Sequence, residues 1–520
     1  MSDAELLAGR RLIRRDWGVM AALFALCLLT RVPLWSPLIT HPDGAETAWG
    51  LEKFDLAAEH PHPPGYLLFW ATGKAFFLLG LSAETSLALA VTLYAALTVA
   101  LLYALGTLMF GARAGLAAAV LLLFENNFWR VSLTHISAIT AAFCGVLVAL
   151  AAFRAWQEPR SRWALVGAVL LGLAAGYRQD LLGFLGLLWL WCAWRSGWKQ
   201  VLGGLVIVGL LCALWTALAA WATGGYGLFR SLNQLQWQEA IFPASALYAW
   251  GEGPRAAADA LIHNLGNWFG LVFGEGSHLS VLGWLVLAVY GAGRVLRLDW
   301  VSRDIRAQIL LVWTVPAVVF HVGIHMFSRP HATLYGPPLM LLAGAAAVLM
   351  AADRTGVCPL GKRSAVWRRP EPRLAVILAL ATLVNVGAFV STILPGQRLE
   401  VAGLRARLDY LSRLSPAETV LVQSDTLGES PQLGYYARQF PLYVLQQTLE
   451  RGRPSKAFPS PVRLPEGVRC VIFLNPEARV SNSTRMVNLR AGVQLKVLDL
   501  PPAERWMHFG PGGVEFRAGP

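Results

Sequence analysis

Residues His41–Tyr66 read HPDGAETAWGLEKFDLAAEHPHPPGY. Asp43, Glu46, Glu52, Asp55 and Glu59 stand here with His41, His60 and His62, and the stretch closes on Pro63-Pro64-Gly65. Almost everything around it is apolar. Ionisable groups held close to lipid are costly and tend to be functional. A solvated loop would carry such charges freely. The His-Pro steps and the Pro-Pro corner fix backbone direction beside the acids, which favours a built site over a solvated loop.

Working outward, the segment before this stretch is the apolar run Trp17–Trp35, preceded by Arg10, Arg11, Arg14 and Arg15. It has no small-residue cleavage site, so it reads as a retained first span and not a signal peptide. Its basic flank places the N-terminus inside and the acidic stretch outside. The 520-residue chain is 56% hydrophobic and only 14% charged, which excludes an ordinary soluble protein. The net charge of +13 then belongs to cytoplasmic loops and implies no nucleic-acid partner. The six cysteines, Cys27, Cys144, Cys192, Cys212, Cys358 and Cys470, form no CxxC pair, so neither a disulfide framework nor a zinc site is expected.

Tyr66–Leu79 is apolar but short and carries Lys74, which suits a helix at or dipping into the interface. If it does not cross, Arg113, Arg154, Arg160, Arg195, Arg294 and Arg363 all fall inside, as the positive-inside rule requires. Further spans are expected near Ser86–Met109, Ala112–Phe124, Ile136–Ala155, Trp163–Ala175, Leu181–Trp194, Val201–Trp221, His278–Tyr290, Ala307–Phe327, Thr333–Met350 and Leu374–Leu394. With the first, that makes about eleven transmembrane helices. After Pro395 the chain turns soluble. Leu404–Leu414 has a helix pattern, and Thr419–Gln423, Cys470–Leu474 and Val493–Leu498 have strand patterns. The expected architecture is a polytopic α-helical membrane domain over 1–394, with outer loop 36–80 carrying the site, and an extracytoplasmic α/β domain over 395–520. In testable form, a cysteine at Ser430 should label from outside and one at Ser364 should not. The reverse pattern would overturn this topology.

The same topology puts three short loops outside: Glu125–His135, Tyr177–Asp180 and Phe327–Pro338. Ala222–Trp268 reads as an outer lid or interfacial helix. These parts could serve a transfer of sugar from a lipid phosphate. Asp43 or Glu46 could take the acceptor's proton. Arg178, Arg329 and Arg130 could meet the donor phosphate, with Tyr335 and His331 as further donors. Glu59, His60, His62 and Asp180 could contact substrate. Other readings stand beside these. Arg178 could simply pair with Asp180, Arg130 beside Trp129 could be an interfacial anchor, and Tyr335 could be a belt aromatic. Asn482-Ser483-Thr484 matches a glycosylation sequon, a pattern too short to carry weight.

Asp43, the segment HPHPPGYLLF (His60–Phe69), GLAAGYRQD (Gly172–Asp180) and RPHATLYGPP (Arg329–Pro338) together resemble the GT-C membrane glycosyltransferases. The branch is that of the protein O-mannosyltransferases and the aminoarabinose transferases of lipid A. The resemblance implies an inverting transfer, at the outer face of the inner (plasma) membrane, from a polyprenyl-phosphate-linked sugar to an extracytoplasmic lipid, glycan or protein acceptor. Asp43 takes the role of catalytic base, and outer basic residues hold the lipid phosphate. The family's usual Asp-Glu pair is not kept, since Gly44 follows Asp43. Glu46 would share a helical face with Asp43, and a divalent metal on Asp43, Glu46 and His62 is an open possibility. The competing class is a transporter or flippase of lipid-linked sugars, which would need ionisable residues deep in the spans. The absence of a clear internal repeat weighs against it.

Overall fold

The computed structural model describes residues 12–238, 245–273, 304–324, 329–352, 372–423, 430–445, 460–501, 504–510 and 513–519. The chain divides into two compact units, one of Met1–Trp35 with Lys53–Leu394, the other of Ser36–Glu52 with Pro395–Pro520. The acidic stretch is thus split. Its first half, with Asp43 and Glu46, belongs to the unit formed by the C-terminal residues.

The regular elements among the first unit's described residues are helices. Among the described residues, six helices are long and apolar enough to cross a membrane: Arg14–Leu34, Ala83–Phe110, Ile139–Gln157, Trp198–Ala222, Ile305–Gly323 and Pro372–Leu411. Shorter apolar helices run over Leu67–Leu78, Ala112–Leu123, Trp163–Tyr177 and Asp180–Ala193, and another over Gly336–Ala352. The expected segments therefore recur as helices at nearly the expected bounds, but by length alone they do not make eleven spans. The one expected at His278–Tyr290 lies outside the described residues. A 12-residue helix such as Leu67–Leu78 reaches only about 18 Å, short of the ~30 Å hydrocarbon core.

The short helices survive because they are packed backbone to backbone. A Cβ on Gly115 would sit 2.6 Å from Thr107 N and Tyr103 O, and one on Gly344 would sit 2.7 Å from Ala114 O. Only glycine permits that approach, the usual device where helices meet in lipid. Trp189 locks a second group. Buried, it donates to Ala164 O at 2.8 Å and fills the space left by Gly167 and Gly204. The helix Trp198–Ala222 instead exposes Leu202, Leu205, Leu210 and Leu214, as a lipid-facing helix does.

In the second unit, strands β1 (Thr419–Gln423), β2 (Leu442–Val444), β3 (Val462–Arg463), β4 (Cys470–Phe473), β5 (Arg485–Asn488), β6 (Gln494–Asp499), β7 (Trp506–Gly510) and β8 (Gly513–Arg517) make two sheets. One has the order β2-β1-β4-β6-β5, the other β3-β7-β8. β1 runs parallel to β2 and β4, while β6 is antiparallel to β4 and β5. The two-residue period of β1 and β4 explains the layering. Val420, Val422, Val471 and Phe473 pack toward Met507, Val514 and Phe516 of the small sheet. Leu421 and Ile472 face the other way, onto Leu404 and Leu411 of the helix Leu394–Leu411 and Leu433 of the helix Ser430–Tyr436. The C-terminal part is α/β, as expected. Asn482 is structural within it: its amide nitrogen donates to Glu504 and Phe516 O, and its oxygen accepts from Phe516 N.

Candidate active site

Asp43 lies in the first turn of the helix Pro42–Glu52. Proline suits a first helical position, where the N–H has no partner to lose, and an acid in the first turn faces the positive end of the helix dipole. The Asp43 N–H donates to His41 Nδ1 at 3.2 Å. His41 Nδ1 also lies 3.6 Å from Asp43 Oδ1. Asp43 and Glu46 are both half-buried and one turn apart, while Ala45, Ala48 and Leu51 on the opposite side are fully buried. The two carboxylates thus share one face, as the i, i+3 spacing requires.

The rest of the stretch belongs to the first unit. Asp55 N–H donates to His60 O at 2.6 Å and His60 N–H returns to Asp55 O at 2.9 Å, closing a tight turn. Glu59 within it is left-handed, with φ of 61°. The His60–Pro61 and Pro63–Pro64 bonds are cis. Gly65 has φ of 91°, and a Cβ there would lie 2.9 Å from Leu56 Cδ2, so both its conformation and its space demand glycine. Tyr66 follows with φ of 38°, uncommon for a non-glycine residue, and its ring meets the His62 ring edge-on at 5.4 Å.

Arg178 meets this corner. It follows the helix Trp163–Tyr177, and its guanidinium carbon stands 5.5 Å from the centre of the Tyr66 ring. Asp180 holds the guanidinium by both ends, Nε to Oδ1 at 3.2 Å and Nη2 to Oδ2 at 2.7 Å. Gly176 allows the approach, since a Cβ on it would be 2.8 Å from Leu68 Cδ1. Hydroxyls of Thr72, Tyr94 and Tyr177 link the corner's helix to the same loop, at 2.7 and 2.9 Å. A small cleft is lined by Pro64, Tyr66, Ala175, Arg178 and Trp215. The Arg178–Asp180 pair anticipated from sequence is present, and it aims the guanidinium at the corner.

Of the other outer loops, Glu125–His135 forms the short helix Asn126–Val131, capped by Glu125 through the N–H groups of Asn127 and Phe128. Arg130 sits in its last turn, and its neighbour Trp129 is buried, stacked on Phe389 at 4.1 Å. The loop is fastened by a residue not singled out as a site from sequence. Arg31, fully buried, donates to Leu123 O, to Ser132 Oγ at 3.3 Å and to Thr30 Oγ1 at 2.7 Å, and lies over the Trp129 ring. The third loop holds the turn Arg329–Leu334. The side chain of Arg329 lies outside the described residues. Tyr335 is buried, and its hydroxyl is 2.7 Å from Nδ1 of buried His321, whose ring stacks on His331 at 5.2 Å. In sequence His321 is a single histidine in an apolar run, which gives no pattern.

The structure therefore gathers Arg178, Asp180 and the Pro64–Tyr66 corner in one place, and His331 and Tyr335 in another around His321. Asp43 and Glu46 stand together on their helix in the second unit.

Residues 61–221 match the family model described as dolichyl-phosphate-mannose-protein mannosyltransferase. No curated protein sequence matches the chain. Among solved structures, ArnT from Cupriavidus metallidurans in the apo state superposes with a TM-score of 0.58 at 16% identity, covering 92% of this chain and 97% of that one. The same protein bound to undecaprenyl phosphate gives 0.54 at 16% identity, covering 93% and 97%. With an ArnT-like fold and the mannosyltransferase family pattern over residues 61–221, the chain is similar to the GT-C membrane glycosyltransferases.

Proposed function

We propose that this protein is an integral-membrane glycosyltransferase that moves a hexosyl or pentosyl group from a polyprenyl-phosphate donor to an acceptor outside the membrane, with inversion. The observation that carries the reading is the meeting of two motifs far apart in sequence, HPHPPGY and YRQD. Arg178 is held by Asp180 beside Tyr66 and Pro64. In the transfer, the acceptor oxygen attacks the anomeric carbon from the face opposite the phosphate. The carbon–oxygen bond to phosphate breaks, and its electron pair leaves with the lipid phosphate. The phosphate gains one negative charge in that step, and an oriented guanidinium such as Arg178 stabilises what develops there. Asp43 takes the acceptor's proton as the new bond forms. Arg329, Arg130, Tyr335 and His331 are further donor contacts in this reading, with Glu59, His60 and His62 on the substrate side. The relative bound to undecaprenyl phosphate supports a lipid-phosphate donor.

In this reading the second unit and the acidic stretch lie outside the inner membrane, and the N-terminus lies in the cytoplasm. A transporter would need ionisable groups along a path through the spans. Arg31 and Arg306, both buried, are instead fixed in local contacts, Arg306 forked onto Asp304. The deciding assay gives purified protein radiolabelled polyprenyl-phosphate sugars and scores released carrier phosphate. Release and label transfer support the enzyme. Movement of intact donor across a vesicle without release would overturn it. A chelator arm reports whether transfer requires a divalent metal.

A further inference from the structure

The helix that carries Asp43 is gripped along its length by one short piece of the C-terminal domain. Just before the helix, Ile39 N–H donates to the Tyr436 hydroxyl at 2.8 Å, and Gln432 Nε2 donates to Thr40 O at 2.6 Å. At its last residue, Arg438 Nη1 and Nη2 reach the two oxygens of Glu52 at 2.9 and 3.4 Å. Between these ends the Trp49 ring packs edge-on to Tyr435, centroids 6.0 Å apart. Leu38 joins the apolar core between sheet and helices. Gly434 completes the fit: a Cβ there would stand 3.1 Å from Trp49 Cζ3 and 3.2 Å from Cη2.

We infer that the segment Ser430–Arg438 is a positioning element for the catalytic helix, with Gln432, Tyr436 and Arg438 as positioning residues and Gly434 as the spacer that sets the height of Trp49. This rests on the reading of Asp43 as base. The C-terminal domain thereby gains a role in the reaction without touching substrate. The chemistry of the contacts favours placement over mere adhesion. The Glu52–Arg438 pair is half-exposed, and such pairs add little to folding stability. A two-toothed fork at one end and backbone hydrogen bonds at the other nevertheless define both the direction and the register of a helix. A base misplaced by about 1 Å can lose ~10²-fold in rate.

The test uses full-length protein in lipid nanodiscs, with turnover and donor KM measured separately alongside thermal stability. Gly434→Ala removes no hydrogen bond and improves helix propensity, but presses a methyl on Trp49. It should lower kcat by ~10-fold or more while donor KM stays within about twofold and Tm does not fall. Arg438→Glu and Glu52→Arg should each lower kcat in the same way, and the swapped pair Glu52→Arg with Arg438→Glu should recover most of it. Wild-type kcat in Gly434→Ala and Arg438→Glu, beside an inactive Asp43→Asn, would sink the positioning role and leave the base intact. Full turnover by Asp43→Asn would remove the base and the positioning role together.

Discussion

Asp43→Asn should lose turnover by ~10²-fold or more, the usual scale for a missing general base, with donor binding and thermal stability near wild type. The asparagine keeps the shape of the side chain but cannot take the proton. It sits in the first turn of Pro42–Glu52, where loss of an anion costs about 0.3–1 kcal/mol at an exposed site, so the helix survives. The Asp43 carboxylate is itself 47% exposed, so the change of charge occurs at a partly solvated group. Glu46→Gln should cost less if Glu46 orients the acceptor or a metal. Sugar transfer at the wild-type rate by Asp43→Asn would remove the main reason to prefer an enzyme to a transporter.

The second large effect belongs to Arg178. Arg178→Ala should raise the donor's Kd by roughly 10- to 100-fold, the worth of one or two charge-assisted hydrogen bonds to phosphate. Acceptor KM should change far less. Because Asp180 grips Nε and Nη2, the alanine variant also takes away the partner of that carboxylate in these bonds, leaving a negative charge beside the donor site. Asp180→Asn in the Arg178→Ala background separates the two contributions. If Arg178 binds phosphate, donor affinity stays poor in the double variant; if the pair is only structural, affinity returns. Arg178→Lys should rescue poorly, since an ammonium cannot fill a two-pronged site. Isothermal titration with polyprenyl phosphate reads all three. Arg329→Ala should weaken donor binding in parallel, and unchanged affinity in both variants would leave the two arginines as structural groups.

Hydropathy carried most of the fold. Apolar runs between basic loops reappear as helices because a chain in lipid must satisfy its backbone internally. The strands TVLVQ and CVIFL were legible because they are buried on both faces. Arg485–Asn488 was not, since an edge strand with exposed side chains has no apolar signal. The helix Leu394–Leu411 begins ten residues before its expected start at Leu404, because Pro395 read as a break. Pro395 instead lies inside the continuous helical run Pro372–Leu411, just after the π turn Phe389–Ile393, where the regular hydrogen-bond ladder is already altered. At the candidate site, the pairing of Arg178 with Asp180 was one of two readings open from local spacing. Its approach to Tyr66 was not legible, because it depends on a close contact at Gly176 between distant segments. Nor could the sequence show that Ser36–Glu52 joins the C-terminal sheet domain. The partners of Arg31 and His321 were hidden for a related reason. A lone polar residue in an apolar run declares its cost but not its partner.

The hydrogen bond from Ile39 to Tyr436 closes a separation of 397 residues. The helix bearing Asp43 is therefore made well before the residues that grip it. At ~5–20 residues per second the interval is roughly 20–80 s. During that time every membrane helix can insert, while the proposed base waits on a helix whose partners do not yet exist. A chain interrupted before Ser430 would hold the six described membrane-length helices and the donor-side arginines, yet have nothing to seat the base. Synthesis of the segment Ser430–Arg438 would then be an activating step, turning an inserted but idle protein into a working one.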